Sequence, residues 1–254
     1  AIQESCSEKA DWNLPSYKIA ELLNLLEASN EVEEAKIAQF EWAFLPMLRN
    51  YRTPKILHKT LANDPEFFVE VIKWLYRAKG EDPGEITEEK RIRARLSFDL
   101  LQSWTRPPGV NSDGCVDSEK LRSWVSRARE LAHANGRRDI VDIHIGQVLA
   151  HYPGDEDGAW PHRALRDLID DLMSEKMEEG IISGIYSKRG VIIRSIYEGG
   201  AQERTISECY LNYASIMRDT WPRTARLMDN IADMHKSNAN WEDRKAELDE
   251  DLIG

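Results

Sequence analysis

Apolar residues at helical spacing recur from one end of this chain to the other, and little competes with them. Ile19, Leu22, Leu23 and Leu26 follow the i, i+3, i+4, i+7 pattern that gives a helix one apolar face. Phe68, Val71, Ile72 and Leu75 repeat it behind Asp64-Pro65, an N-cap residue followed by one suited to a first helical turn. Thr87 is placed to cap a helix through Ile92, Leu96, Leu100 and Leu101. The cleanest stripe is Leu121, Trp124, Val125, Ala128, Leu131 and Ala132, stopped by Asn135-Gly136. Leu165, Leu168, Ile169 and Leu172 follow Trp160-Pro161, and Leu227, Met228, Ile231 and Met234 follow Trp221-Pro222, so one aromatic-proline device opens two helices. Between them, Ile206, Cys209, Tyr210, Tyr213, Ile216 and Met217 make another stripe.

Strand signals are confined to residues 180–200, rich in β-branched side chains and glycine. Two readings stay open there: a short hairpin around Lys188-Arg189-Gly190, or a helix broken at Gly184. The expected fold is all-α, an irregular, α-solenoid-like helical array of about ten helices with one irregular or hairpin segment near 180–200. The loop-like stretches at 79–85, 105–114 and 152–160 are short, and no fixed repeat holds register. A single domain over 1–254 follows, with a subdivision into 1–105 and 115–254.

Charge and cysteine usage narrow the partners. The net charge of −11 disfavours non-specific attraction to nucleic acid or an anionic membrane surface. No apolar run approaches the roughly 18 residues that span a bilayer, and the opening "AIQESCSEKADWN" lacks the pattern of a secretory signal. Cys6, Cys115 and Cys209 are odd in number and far apart, so neither a disulfide framework nor a zinc knuckle is indicated, and a reducing cytoplasm fits. The chain opens without methionine and on polar residues, which reads as a piece of something longer.

Chemistry-bearing residues concentrate in "HIGQVLAHYPGDEDGAWPHRALRDLI". His144 and His151 lie two turns apart on one helix, about 10 Å along its axis, too far for one metal ion. The apolar neighbours of His144 make it a core histidine. His151 and His162, with Asp155 or Asp157 in the turn between them, could still approach one another as metal ligands. The bland alternative is a helical corner whose acidic residues favour the positive end of the next helix. "GVNSDGCVDSEK" and "PGDEDG" place glycine as an EF-hand loop does but lack its terminal ligands. "KRG" at 188–190 and "EGGAQER" at 198–204 could form a phosphate-facing turn, against which Glu198, Glu203 and Glu208 set like charge.

Two basic segments remain. In "EEKRIRARL" the cations surround a helix beside their own glutamates, as on a solvated surface. "MLRNYRTPKILHK" gathers Arg49, Tyr51, Arg52, Lys55, His58 and Lys59 at a corner set by Pro46 and Pro54. Seven tryptophans, Trp42, Trp74, Trp104, Trp124, Trp160, Trp221 and Trp241, fall on or beside helices, where each can fill an inter-helix gap. Exposed ones would mark a recognition surface.

The segments "FEWAFLPMLR…PKILHKTLANDPEFFVEVI", "DIHIGQVLAHYP…DGAWPHRALRDLI", "KRGV…EGGAQER" and "WPRTAR" together resemble the C-terminal helical region of large, uncharacterised multidomain bacterial proteins, some linked to phage defence. The resemblance spans about residues 40–240 and implies an appended recognition or autoregulatory module. It transfers no catalytic residue and no cofactor. The functional expectation is a non-catalytic, cytoplasmic interaction module recognising a protein partner or other domains of a longer chain. Arg49, Tyr51, Arg52 and Lys55, with Lys188 and Arg189, are its candidate contacts. A metal-dependent hydrolase built on His144, His151, Asp155, Asp157 and His162 is the first alternative. A nucleic-acid-binding array using 47–59 is the second.

Overall fold

A computed structural model describes residues 14–78, 80–82, 84–189 and 199–253. Among these the chain is all-α, with eleven helices and no strand. In order they are α1 (Ser16–Ser29), α2 (Glu34–Leu48), α3 (Lys55–Asn63), α4 (Pro65–Leu75), α5 (Glu88–Ser103), α6 (Ser118–Ala134), α7 (Arg138–Leu149), α8 (Arg163–Leu172), α9 (Glu175–Lys188), α10 (Ala201–Met217) and α11 (Pro222–Ile253). The chain divides into two compact units, one of residues 1–111 with 119–144, the other of 112–118 with 145–254, so the division falls within α7.

In the first unit α2 packs on α1, α3 and α5, and α4 packs on α3 and α5. The caps read from sequence are in place: Asp64 Oδ1 accepts from Phe67 N at 2.9 Å, and Thr87 Oγ1 from Lys90 N at 3.3 Å. The core is aromatic. Phe68 lies 5.4 Å from Trp104 and 5.1 Å from Trp124, and Trp42 meets Trp74 edge-on at 5.4 Å. The buried Trp124 indole donates to Leu61 O at 3.1 Å, which resolves the polar handle that burial of a tryptophan creates.

In the second unit α10 and α11 form a long antiparallel hairpin, and α8 packs on α11. The open question at 180–200 resolves toward helix as far as Lys188, with no break at Gly184. The glycines serve packing there. An added Cβ on Gly184 would stand 2.5 Å from Gln147 O and 2.7 Å from Ala150 Cβ. One on Gly146 would stand 2.8 Å from Gly180 Cα. The α7 and α9 backbones therefore touch where side chains would hold them apart. Residues 190–198, where the hairpin turn and Glu198 were expected, lie outside the described residues. No described helix is long and apolar enough to cross a membrane.

Candidate functional site

The basic corner at 47–59 is built around an internal ion pair. Arg52, 7% exposed, donates to Glu41 at 2.6 Å, to Glu27 at 3.1 Å and to Asn24 at 2.8 Å. Glu41, fully buried, also accepts from Leu57 N at 2.9 Å. Burial pushes the Glu41 carboxyl up, against the lowering effects of that amide and of Arg52. Arg52 thus ties the turn between α2 and α3 to both α1 and α2, and three of its five guanidinium N–H donors are spent on these internal acceptors. Lys55 stands 3.6 Å from Glu27 and Lys59 2.7 Å from Glu34. His58 is buried against Ser103 Oγ.

Arg49 and Tyr51 remain outward, and α5 completes the place. Arg95, read in sequence only as a cation of a solvated face, and Phe98, not singled out there, join them around an open hollow of about 670 Å³, with Asp99 and Gln102 on the same wall. Tyr51 is 57% and Phe98 47% exposed. Neither Arg49 nor Arg95 has a carboxylate within ion-pair distance among the described residues. The signal that could have found Arg95 is its i, i+3 spacing to Phe98, which puts a cation and an aromatic ring on one helix face.

The histidine-rich stretch folds differently from a metal site. His144 is buried, with Nε2 3.0 Å from the Tyr76 hydroxyl, in the core role its apolar neighbours indicated. His162 caps α8 through Nδ1, which accepts from Ala164 N at 3.2 Å. His151 is half-buried, and burial together with Lys188 pushes its pKa down. Asp155 pairs with Arg163 at 3.1 Å, and Asp157 takes a bidentate pair from the fully buried Arg166 at 2.6 and 2.9 Å. Arg166 also donates to Pro161 O at 2.6 Å and Ala159 O at 3.2 Å, and lies 5.0 Å over the Trp221 ring. The acidic loop is thereby clamped by arginines. Among the described residues no group of three or more His, Cys, Asp and Glu could hold a metal ion.

The clamp carries a pH dependence. The Arg163 guanidinium holds Asp155 well below the usual carboxylate range, and Arg166 lowers Asp157. A carboxylate depressed by folding contributes stability above its free value of about 4 and loses it as pH falls below that. Acidification should therefore lower the protection of the Ala159 and Arg163 amides, taken relative to their intrinsic exchange rates, since these amides donate to Asp157 and Asp155, before the interior of α8 responds. Protection at both amides that stays level down to about pH 2 would mean the pairs do not order the loop.

Lys188 and Arg189 end α9 rather than lying in a hairpin. Arg189 donates to Glu203 of α10, whose other oxygen lies 2.7 Å from His235 Nδ1 of α11. Burial raises the Glu203 carboxyl, but the bonds from His235 and Arg189 outweigh it and hold the group low. No signal in the sequence joins Glu203 to His235, 32 residues apart. The glycine turn at 198–204, which like charge already set against phosphate, is taken: Gly200 N donates to Asp243 Oδ1 at 2.8 Å, and Arg204 pairs with Asp243 at 2.6 Å. The N-terminus of α10 meets a carboxylate of its own chain. Comparison with protein-family models, with curated proteins and with solved structures finds no match.

Proposed function

We propose that this chain is a non-catalytic helical interaction module, an appendage of a larger bacterial protein as the resemblance implies. It takes an acidic, aromatic- or leucine-bearing peptide segment of a protein partner in the hollow between the α2–α3 corner and α5. The observation that carries this is the joint exposure of Arg49, Tyr51, Arg95 and Phe98 around one hollow in a chain of net charge −11. Two cations without carboxylate partners give an acidic segment its orientation, and two exposed rings give it an apolar seat. Arg52 holds the corner in shape from beneath. The nucleic-acid reading loses its main cations, because Arg52, Lys55 and Lys59 already face glutamates.

The test is selection of displayed peptides on the whole chain, followed by fluorescence polarisation with the selected sequences. Acidic sequences should be enriched. Arg49→Ala with Arg95→Ala should weaken their binding about tenfold or more, mostly through association rate and with strong salt dependence. Lys73→Ala, in an ion pair on α4, should change nothing. Enrichment without acidic bias, or binding indifferent to the double change, refutes the assignment.

A further inference from the structure

A second hollow, of about 650 Å³, lies within the unit that holds α8 to α11, and neither the peptide reading nor the sequence accounts for it. Its size falls in the range of small-molecule sites, and its walls follow the same pattern of mostly apolar surface with a few polar groups. Trp160, Ile185, Ile206, Tyr210 and Tyr213 supply the apolar part, and Lys188, Arg189 and His235 the polar part.

The polar groups are unequally engaged. Arg189 is committed to Glu203. Lys188 beside it is exposed and has no carboxylate within ion-pair distance among the described residues. His235 is 2% exposed, and its Nδ1 lies 2.7 Å from Glu203 Oε2. An ionised carboxylate can only accept, so Nδ1 carries the hydrogen and Nε2 faces away from Glu203. Nε2 is buried and has no hydrogen-bond partner among the described residues. A buried polar nitrogen left this way is costly, and His235 is one of the residues that line the hollow, so a ligand group that reaches Nε2 would supply the missing partner.

The aromatic groups are arranged as a plate. Tyr210 lies parallel to the His235 ring, at 5.9 Å and 6°, and meets Trp160 and Tyr213 edge-on. Burial pushes the Tyr210 phenol up to about 12, and a hydrogen bond with Cys209 does the same for Tyr213. Near neutrality both are uncharged and do not repel an anion. Nearby, Lys188 lowers the pKa of half-buried His151 after burial itself.

We propose that this hollow binds a small planar aromatic anion. Its ring lies against Tyr210 and Trp160, its carboxylate or phosphate meets Lys188, and a polar ring substituent pairs with His235 Nε2. This reading is independent of the groove on α2, α3 and α5.

The wall carries its own reporter. Cys209 is exposed and lines the hollow, while Cys115 is exposed and does not. Alkylation of the whole chain by iodoacetamide, mapped by mass spectrometry, reads occupancy at Cys209 with Cys115 as control. Salicylate tests an aromatic carboxylate and AMP a nucleoside phosphate; phenol, adenosine and inorganic phosphate each lack either the charge or the ring. A ligand that fits should slow Cys209 alkylation about fivefold at about four times its Kd, by mass action. Cys115 should not slow. Lys188→Ala, on an exposed side chain, should raise the protecting concentration about tenfold. Protection by salicylate alone identifies a carboxylate as the anion, and protection by AMP alone a phosphate. The proposal is overturned if neither protects, if phenol or adenosine protects equally, if both cysteines slow together, or if Lys188→Ala changes nothing.

Discussion

Replacing Arg166 by methionine should destabilise the unit holding α8 to α11 by about 3 kcal/mol, within the range for breaking a buried pair. Methionine keeps much of the volume over Trp221 but removes every donor. Asp157 is the smaller part of that loss, since its side chain is 36% exposed and water can take over its oxygens. The larger part falls on the carbonyls of Pro161 and Ala159, both in buried residues, which lose their donor together. Arg166→Lys should not rescue the loss, because a single ammonium cannot span the Asp157 carboxylate and two carbonyls at once. Arg163→Ala, on a side chain 59% exposed, should cost under about 1 kcal/mol. Urea unfolding of the three variants, followed with hydrogen exchange to assign the loss to this unit, checks the ranking. Arg166→Met within about 1 kcal/mol of the parent would show that the clamp contributes little.

Gly146→Ala and Gly184→Ala should each destabilise the same unit by about 3 kcal/mol, at the high end for overpacking. The usual sign is the opposite: alanine in a helix interior is favoured over glycine by about 1 kcal/mol. Here the new Cβ on Gly146 would lie 2.7 Å from Ile181 N and closer still to Met177 O. These are backbone atoms with no rotamer to yield, so the helices must separate and the contact along α7 and α9 opens. Once one alanine has parted them, the second meets less resistance, so the double change should cost clearly less than the sum. Thermal and urea unfolding of both singles and the double give the coupling. Either alanine raising stability would mean that the two backbones do not meet as described.

The helices themselves were legible in the sequence, and the reason is local. Asp64 and Thr87 cap what their spacing predicts, and of the stripe from Leu121 to Ala132 all but half-buried Leu131 are buried, because caps and amphipathic faces depend on residues within a turn or two. His144 was placed in the core by its apolar neighbours for the same reason. Gly184 was harder. Glycine and β-branched residues lower intrinsic helix propensity, and only contact with Gln147 on α7 and Ala150 just beyond its end explains why the chain keeps glycine there without breaking.

The functional residues divide along the same line. Arg49 and Tyr51 were found by local clustering and stayed exposed, while Arg52, in the same cluster, was claimed by Glu27 on α1 and Glu41 on α2. Asp155, Asp157 and His162 had the composition of a ligand set, and what they lacked was freedom: Arg163, Arg166 and a helix N-terminus took them first. Glu203 and His235 carried no pattern at all until the α10–α11 hairpin laid them side by side. By itself the sequence determined most of the helical segments and several of their buried faces, since both follow from spacing along one helix, but not the face of α10, where Cys209 and Ile216 of the expected stripe are exposed and Glu203 and Ser207 are buried instead. The tertiary structure alone decided which charges are spent inside the fold and which stay exposed, because pairing depends on distances between helices that no spacing along one helix encodes.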